Sequence, residues 1–457
     1  MLPARLHRFA PEPTLDVSGK GMRRRVQISS PEQKCKQGTE GGSLRLRPQV
    51  PRRSLSVVLL LAGVFWLGPQ AHATVTAPSG SHTDALNLRP EVQSAYLDFY
   101  DLNFASALKK FTAIQKAHAD DPLSTVYVLN VTIFQELYRL GLLDTTLYVH
   151  DGFLSGKHPV VEDMQVRARV DALSAEAMRL ANEQLQADPH NVDALFARGY
   201  ARSLRATYMA MVEKRYLPAL SMAFAANRDH EEVLRLDPKY TDAKLVVGVH
   251  EYVLGSLALP LKIMAGIFGI GGSVDKGLAD LRDDSQQGTI TATAASTSLA
   301  IFLRREAQYP AAIGVIDRML GEYPHDFLFA LEYANLLKDD GKGMPAIAAY
   351  RALLARAAQP NYFPNAHWDM AWYGLGEALR GQRMVAEAAD AYEKAAAEPT
   401  ANVLLKRRTL LAAGEMRDIL HQRKQAQALY QAVLDLGGDT DETDRAQRYL
   451  HSPYKGH

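Results

Sequence analysis

A single cysteine, Cys35, is all that 457 residues contain. It lies in an N-terminal segment that reads as removable. A chain without it excludes disulfides, thiolate metal sites, cysteine nucleophiles and an acylated N-terminal cysteine. Consecutive β-branched runs are also few, whereas Ala, Leu, Arg, Gln and Glu are abundant, which favours helix throughout. An excess of one charge is missing too, since Lys and Arg number 52 against 51 Asp and Glu.

That balance hides an asymmetry. Arg52 and Arg53 precede the apolar run Leu55 to Leu67, and Ala71-His72-Ala73 follows it. A basic start, a short apolar core and an A-x-A site form a secretory signal peptide cleaved after Ala73. The run is too short for a comfortable membrane span, which leaves an N-terminal anchor as the alternative. Residues 1–49 are Arg- and Pro-rich without apolar period, and read either as untranslated, with initiation near Val50, or as disordered. Cleavage leaves 40 basic against 47 acidic residues, a net charge of −7. Such a mildly acidic protein is a poor candidate for charge-driven binding of nucleic acid or of an anionic membrane. Its expected destination is the bacterial periplasm or the exterior.

What is present is a spacing. Trp372, Leu375, Gly376, Ala388, Tyr392 and Ala395 place one apolar face on a helix and another, at i, i+4 and i+7, on the next. Gly376 and Ala388 are small where two helix backbones must approach, and Trp372 and Tyr392 fill the space beside them. The interval of twelve between small residues, then four to an apolar one, recurs at Gly414, Ala426 and Tyr430, at Ala334, Ala346 and Tyr350, and at Ala300, Ala312 and Ile316. It recurs again near the N-terminal end at Ala95, Ala107 and Phe111. Fragments survive between, where Pro189 precedes Gly199 and Pro238 precedes Gly248, each by ten residues.

This pattern resembles the tetratricopeptide (TPR) repeat, a unit of 34 residues folded as a helical hairpin. The resemblance implies an all-α, TPR-like helical-hairpin solenoid, with an irregular helical bundle as the alternative. The organisation expected is an extension with signal peptide at 1–73, a linker at 74–88, a divergent TPR-like helical region with insertions at 89–288, and a regular array with a C-terminal capping helix at 289–457. The two insertions fall at Gly141 to Val160 and at Leu254 to Gly272. Asp237-Pro238, Gly248, Pro260 and the run Gly271-Gly272 to Lys276-Gly277 are also faintly similar to TPR components associated with TRAP transporters.

Enzyme signatures are incomplete. His250-Glu251 starts a zinc-protease-like string, but Leu254 occupies the place of the second histidine. Asp229, His230, Glu231 and Glu232 are adjacent on a helix and point in different directions, and His230 falls at a packing position, where a core histidine is the stronger reading. No G-x-S-x-G occurs, and no G-K-[ST] follows the glycines of the second insertion. No catalytic residue, metal or cofactor is expected, and the chain reads as not an enzyme.

In the family, the concave groove is lined from the first helix of each hairpin, opposite its packing face. By register the resemblance places there Phe196, Tyr200, Tyr252, Arg304, Arg305, Asn335, Lys338, Tyr373, Glu377 and Arg380, with Leu245, Ile301 and Leu331 between them. Tyr and Arg are enriched at interface hot spots. The function implied is an exported scaffold that binds a protein or peptide partner in envelope assembly or transport. The second reading is a small-ligand or lipid carrier, or a transporter accessory touching a membrane, which uses the apolar 254–272 segment.

Overall fold

Seven residues beyond each small residue of the repeat register, the chain turns over through one residue with positive φ. These are Leu102, Ala307, Gly341, Arg383 and His421, at φ 59°, 54°, 73°, 59° and 58°. A left-handed residue after a helix closes its last carbonyls, and only Gly341 does so without a Cβ penalty of about 1 kcal/mol. The recurrence of this turn makes each unit a hairpin. A computed structural model of the chain describes residues 81–148, 161–256 and 271–456. The signal peptide and most of both insertions lie outside the described residues.

The described helices pair in chain order. They are α1 (Pro90–Tyr100) with α2 (Phe104–Ala117), α3 (Pro122–Arg139) with α4 (Met164–Ala187), α5 (Val192–Met211) with α6 (Tyr216–Leu236), and α7 (Lys244–Gly255) with α8 (Val274–Gln287). The pairs continue as α9 (Ala292–Arg305) with α10 (Tyr309–Glu322), α11 (Phe327–Asp339) with α12 (Gly343–Ala355), α13 (Trp368–Gly381) with α14 (Val385–Ala397), and α15 (Val403–Ile419) with α16 (Arg423–Asp435). A last helix, α17 (Asp441–His451), rests on α15 and α16. First helices also touch the first helices of the following unit, as α11 does α13 and α13 does α15. No strand occurs among the described residues. The architecture is an all-α, TPR-like helical-hairpin solenoid.

Local sequence explains the starts. Asp121, Asn191, Asp326 and Asn402 accept from backbone N–H groups in the first turns of α3, α5, α11 and α15, and Pro122 sits at the first position of α3, where its missing donor costs nothing. In α17, Thr440 and Thr443 satisfy each other's backbone, three acids occupy the first turn, and Arg448 and His451 the last.

Every member of the five small-residue registers is buried. The core is not simply serial, however. One buried cluster joins Val92, Phe99 and Tyr127 of the first helices to Leu331, Met370, Tyr392 and Met416 of the later units. A separate one runs from Tyr252 through Leu299 to Met319. All of these residues belong to one compact unit, Gln70–His457, in which the array turns until its beginning meets its later repeats. Tyr100 stands against Tyr323 with ring centroids 5.3 Å apart, and Asn365 Nδ2 donates to the Leu102 carbonyl at 3.2 Å.

Candidate functional site

The inner face of the first helices is where register places a groove, and much of it is filled by the chain itself. The end of α3 and the segment leaving it touch four units. Asn402 Nδ2 donates to the Leu140 carbonyl at 3.3 Å, Tyr138 Oη donates to the Asn365 carbonyl at 2.7 Å, and the Tyr138 ring stands edge-on to His367 at 4.6 Å. Beyond it, Thr145 donates to Glu332 and accepts from Arg304 Nη1 at 3.0 Å. The described start of the first insertion is therefore a strap seated in cis on α9, α11, α13 and α15.

Under that strap lies a buried ionic cluster. Arg304 is 2% exposed. Its Nη1 meets Glu332 Oε2 at 3.1 Å, and its Nη2 and Nε meet Asp339 Oδ2 at 2.5 and 2.7 Å. Burial raises the Glu332 carboxyl, opposed by the adjacent guanidinium. Asn335 Nδ2 donates to Glu332 at 3.4 Å, and Asn335 Oδ1 accepts from the Tyr350 hydroxyl at 2.5 Å.

The register residues divide by burial. Phe196 is wholly buried, its ring 5.0 Å from Tyr240 and 5.4 Å from His230. Tyr200 is buried beside Tyr96. Tyr252 stacks on Phe302 at 3.8 Å and donates to Glu306 at 2.8 Å. These three, with Arg304, Asn335 and Leu331, belong to the interior and are corrected as groove residues: Tyr240 and His230 pack on Phe196, Phe302 stacks on Tyr252, and the in-cis strap reaches Arg304. Arg305 is half-buried and engages the Tyr252 hydroxyl. Leu245 and Ile301 are half-buried.

Lys338, Tyr373, Glu377 and Arg380 remain partly accessible. Glu377 accepts from the Tyr392 hydroxyl at 2.5 Å, and Arg380 lies 3.5 Å from Glu415 and 3.4 Å from the Tyr454 hydroxyl. Arg408, which register reasoning passed over, lies on the next first helix, 3.5 Å from Glu442. These residues place one tyrosine and four charged side chains on three successive first helices, α11, α13 and α15, and offer no nucleophile–base pair. Among the described residues no group of three His, Asp or Glu could hold a metal, and no helix is long and apolar enough to cross a membrane.

His230 occupies the packing position assigned to it. Its Nδ1 donates to the Ala226 carbonyl at 2.9 Å, and a Cβ added at Gly199 would fall 2.6 Å from its Cε1. Burial pushes its pKa down to about 4. Neighbouring Asp229 is taken by Arg198 at 2.7 Å and Arg202 at 2.5 Å, so the acid–histidine cluster of α6 is structural.

Paired helices, the small-residue register and the buried aromatic at its end define a TPR-like repeat protein. No protein-family model matches the chain, and no curated protein matches it. Among solved structures it is similar to the Cut9–Hcn1 hetero-tetramer of the APC/C, at 14% identity and a TM-score of 0.45, covering 79% of this chain and 55% of that one. It is also similar to a tetratricopeptide repeat protein from Parabacteroides merdae, at 14% identity and a TM-score of 0.32 over 71% of this chain and 97% of that one. Yeast Tom70 matches at 11% identity and a TM-score of 0.38 over 79% and 87%. The chain spans little more than half the length of the Cut9–Hcn1 component it matches.

Proposed function

We propose that the protein is a non-enzymatic scaffold, exported past the inner membrane, that holds a protein partner during envelope assembly or transport. The observation that supports this reading is the partly accessible wall of Lys338, Tyr373, Glu377, Arg380 and Arg408 on successive first helices. It lies on a helical array much of whose remaining inner face is filled by the chain. A rigid wall of tyrosine and arginine binds at small cost in side-chain ordering. Export rests on the leader sequence at 52–73. The carrier reading uses the apolar 254–272 segment, of which residues 257–270 lie outside the described residues, and the transporter resemblance rests on motifs between residues 236 and 281, of which Pro260 lies in the same stretch.

The test is a pull-down with the protein carrying Lys338→Glu and Arg408→Glu. Both side chains lie partly in water; Lys338 stands 3.5 Å from Asp339 at the edge of the buried ionic cluster, and Arg408 stands 3.5 Å from Glu442, well away from it. Retention of the partner should fall about tenfold or more, the equivalent of ~1.4 kcal/mol, with the helical circular dichroism unchanged. Equal retention by the doubly reversed protein rejects this wall as the binding surface.

A further inference from the structure

The segment after α17 turns back onto the inner wall. The Tyr454 backbone N–H donates to Asp418 Oδ2 at 2.8 Å, Arg380 Nη2 donates to its hydroxyl at 3.4 Å, and its ring stands edge-on to Tyr449 at 5.4 Å and 63°. Asp418, 6% exposed, also accepts from the Tyr430 hydroxyl at 2.9 Å and from Arg423 at 3.0 Å, so its carboxylate is fixed before the segment arrives. Ser452, Pro453, Lys455 and Gly456 are exposed, and Tyr454 is the one partly buried residue of the five. An extended stretch held by one main-chain hydrogen bond and one aromatic anchor is held as a peptide ligand is held. The three contacting side chains come from the first helices α13 and α15 and from the terminal α17, and Arg380 belongs to the wall above.

We propose that Arg380, Asp418 and Tyr449 form a site for an extended peptide carrying a tyrosine, and that residues 452–456 occupy it as an internal ligand which such a segment of the partner displaces. The inference rests on the inner face being the partner-binding surface and names what is recognised there. Asp418 takes a main-chain donor, which any peptide supplies. Arg380 and Tyr449 select a ring with a hydroxyl at its end. Displacement is feasible because ordering five residues, four of them exposed, is offset by few contacts. A tethered occupant also works at a millimolar effective concentration, so it excludes weak competitors and yields to a partner bound additionally along the wall.

The experiment compares the full chain with the full chain carrying Tyr454→Ala, each titrated with a fluorescent synthetic peptide of residues 451–457 and read by anisotropy. The Tyr454→Ala protein should bind the peptide about tenfold or more tighter than the unsubstituted protein, because the tethered competitor is gone. A peptide that itself carries Tyr454→Ala should bind neither. Equal affinity of the two proteins, absence of binding to the Tyr454→Ala protein, or undiminished binding of the substituted peptide overturns the proposal. So does a concentration-dependent dimer of the unsubstituted protein that Tyr454→Ala dissociates, since the segment would then serve a second copy. Because the titration contains no partner, peptide binding with no partner retained in the pull-down rejects the scaffold reading alone. Partner retention without peptide binding rejects this inference alone.

Discussion

Tyr392 lies flat against the backbone of Gly376, so that a Cβ on the glycine would stand 2.5 Å from its Cε1, while its hydroxyl donates to Glu377 on the same facing helix. Tyr430 repeats the contact at Gly414, with its hydroxyl on Asp418. Tyr350 approaches from the preceding unit to within 2.5 Å of the position a Cβ on Gly374 would take. The rings set the spacing within and between hairpins, and each buried hydroxyl finds an acceptor on a first helix.

Gly376→Ala should therefore destabilise the protein by about 1–3 kcal/mol, although alanine gains about 1 kcal/mol of helix propensity. Gly314→Ala is the control: that glycine is exposed in the middle of α10 with nothing within 4 Å of a new Cβ, and the substitution should stabilise by roughly 0.5–1 kcal/mol. Urea midpoints of the two variants should move in opposite directions. Movement in the same direction removes the packing account of Gly376.

The repeat itself was legible because its determinants are local. A small residue, a second twelve on, and an aromatic four beyond that lie within one hairpin, and period alone finds them. The left-handed turn seven residues after the first small residue follows from the same register, though Leu102, Ala307, Arg383 and His421 give no sign of it in their chemistry. What could not be read were partners distant in sequence. Thr145 reaches Glu332 across 187 positions, and Tyr138 reaches Asn365 across 227. No local pattern encodes such a pairing. Arg304 fits a groove position in an isolated unit and becomes interior only when the strap from α3 lies over it. Phe196 and Tyr200 misled because α5 and α6, of 20 and 21 residues, depart from the length on which the register depends, and Tyr252, on α7, misled because Phe302 of α9 stacks over it.

Arg304 and Glu332 provide a second prediction. Both side chains are almost wholly buried, so removing Arg304 leaves Glu332 without its counter-charge, whereas removing Glu332 leaves Arg304 paired with Asp339 alone. Arg304→Met should cost about 3–5 kcal/mol, and Glu332→Leu less, because Asp339 still pairs with the guanidinium. Arg304→Met combined with Glu332→Leu should cost less than the two together, with a coupling of about 0.5–3 kcal/mol in a double-mutant cycle. Hydrogen exchange at the amides of residues 141–146 should accelerate in each single variant, because Thr145 loses part of its anchorage. Additive costs with unchanged exchange in the strap contradict the cluster as its anchor.

Acidification should expose His230. Its folded pKa, about 4, lies below the ordinary value of 6.5, so the unfolded chain takes up its proton first as pH falls. The neutral ring's contribution is intact above pH ~6.5 and is lost progressively down to pH ~4, by about 2 kcal/mol at pH 5 and about 3 in full. Burial shifts two carboxyls the other way, Asp84 to about 7 and Asp326 to about 8. Both favour the folded state increasingly as pH falls, and so oppose His230 in the overall profile. The comparison that isolates the histidine is between the unsubstituted protein and His230→Leu, measured by urea denaturation from pH 7.5 to 4.5. The carboxyl contributions are common to both, and the difference between the two stabilities should grow in favour of His230→Leu below pH 6.5. A difference that stays constant with pH means that the imidazole is not held neutral against Phe196 and Gly199.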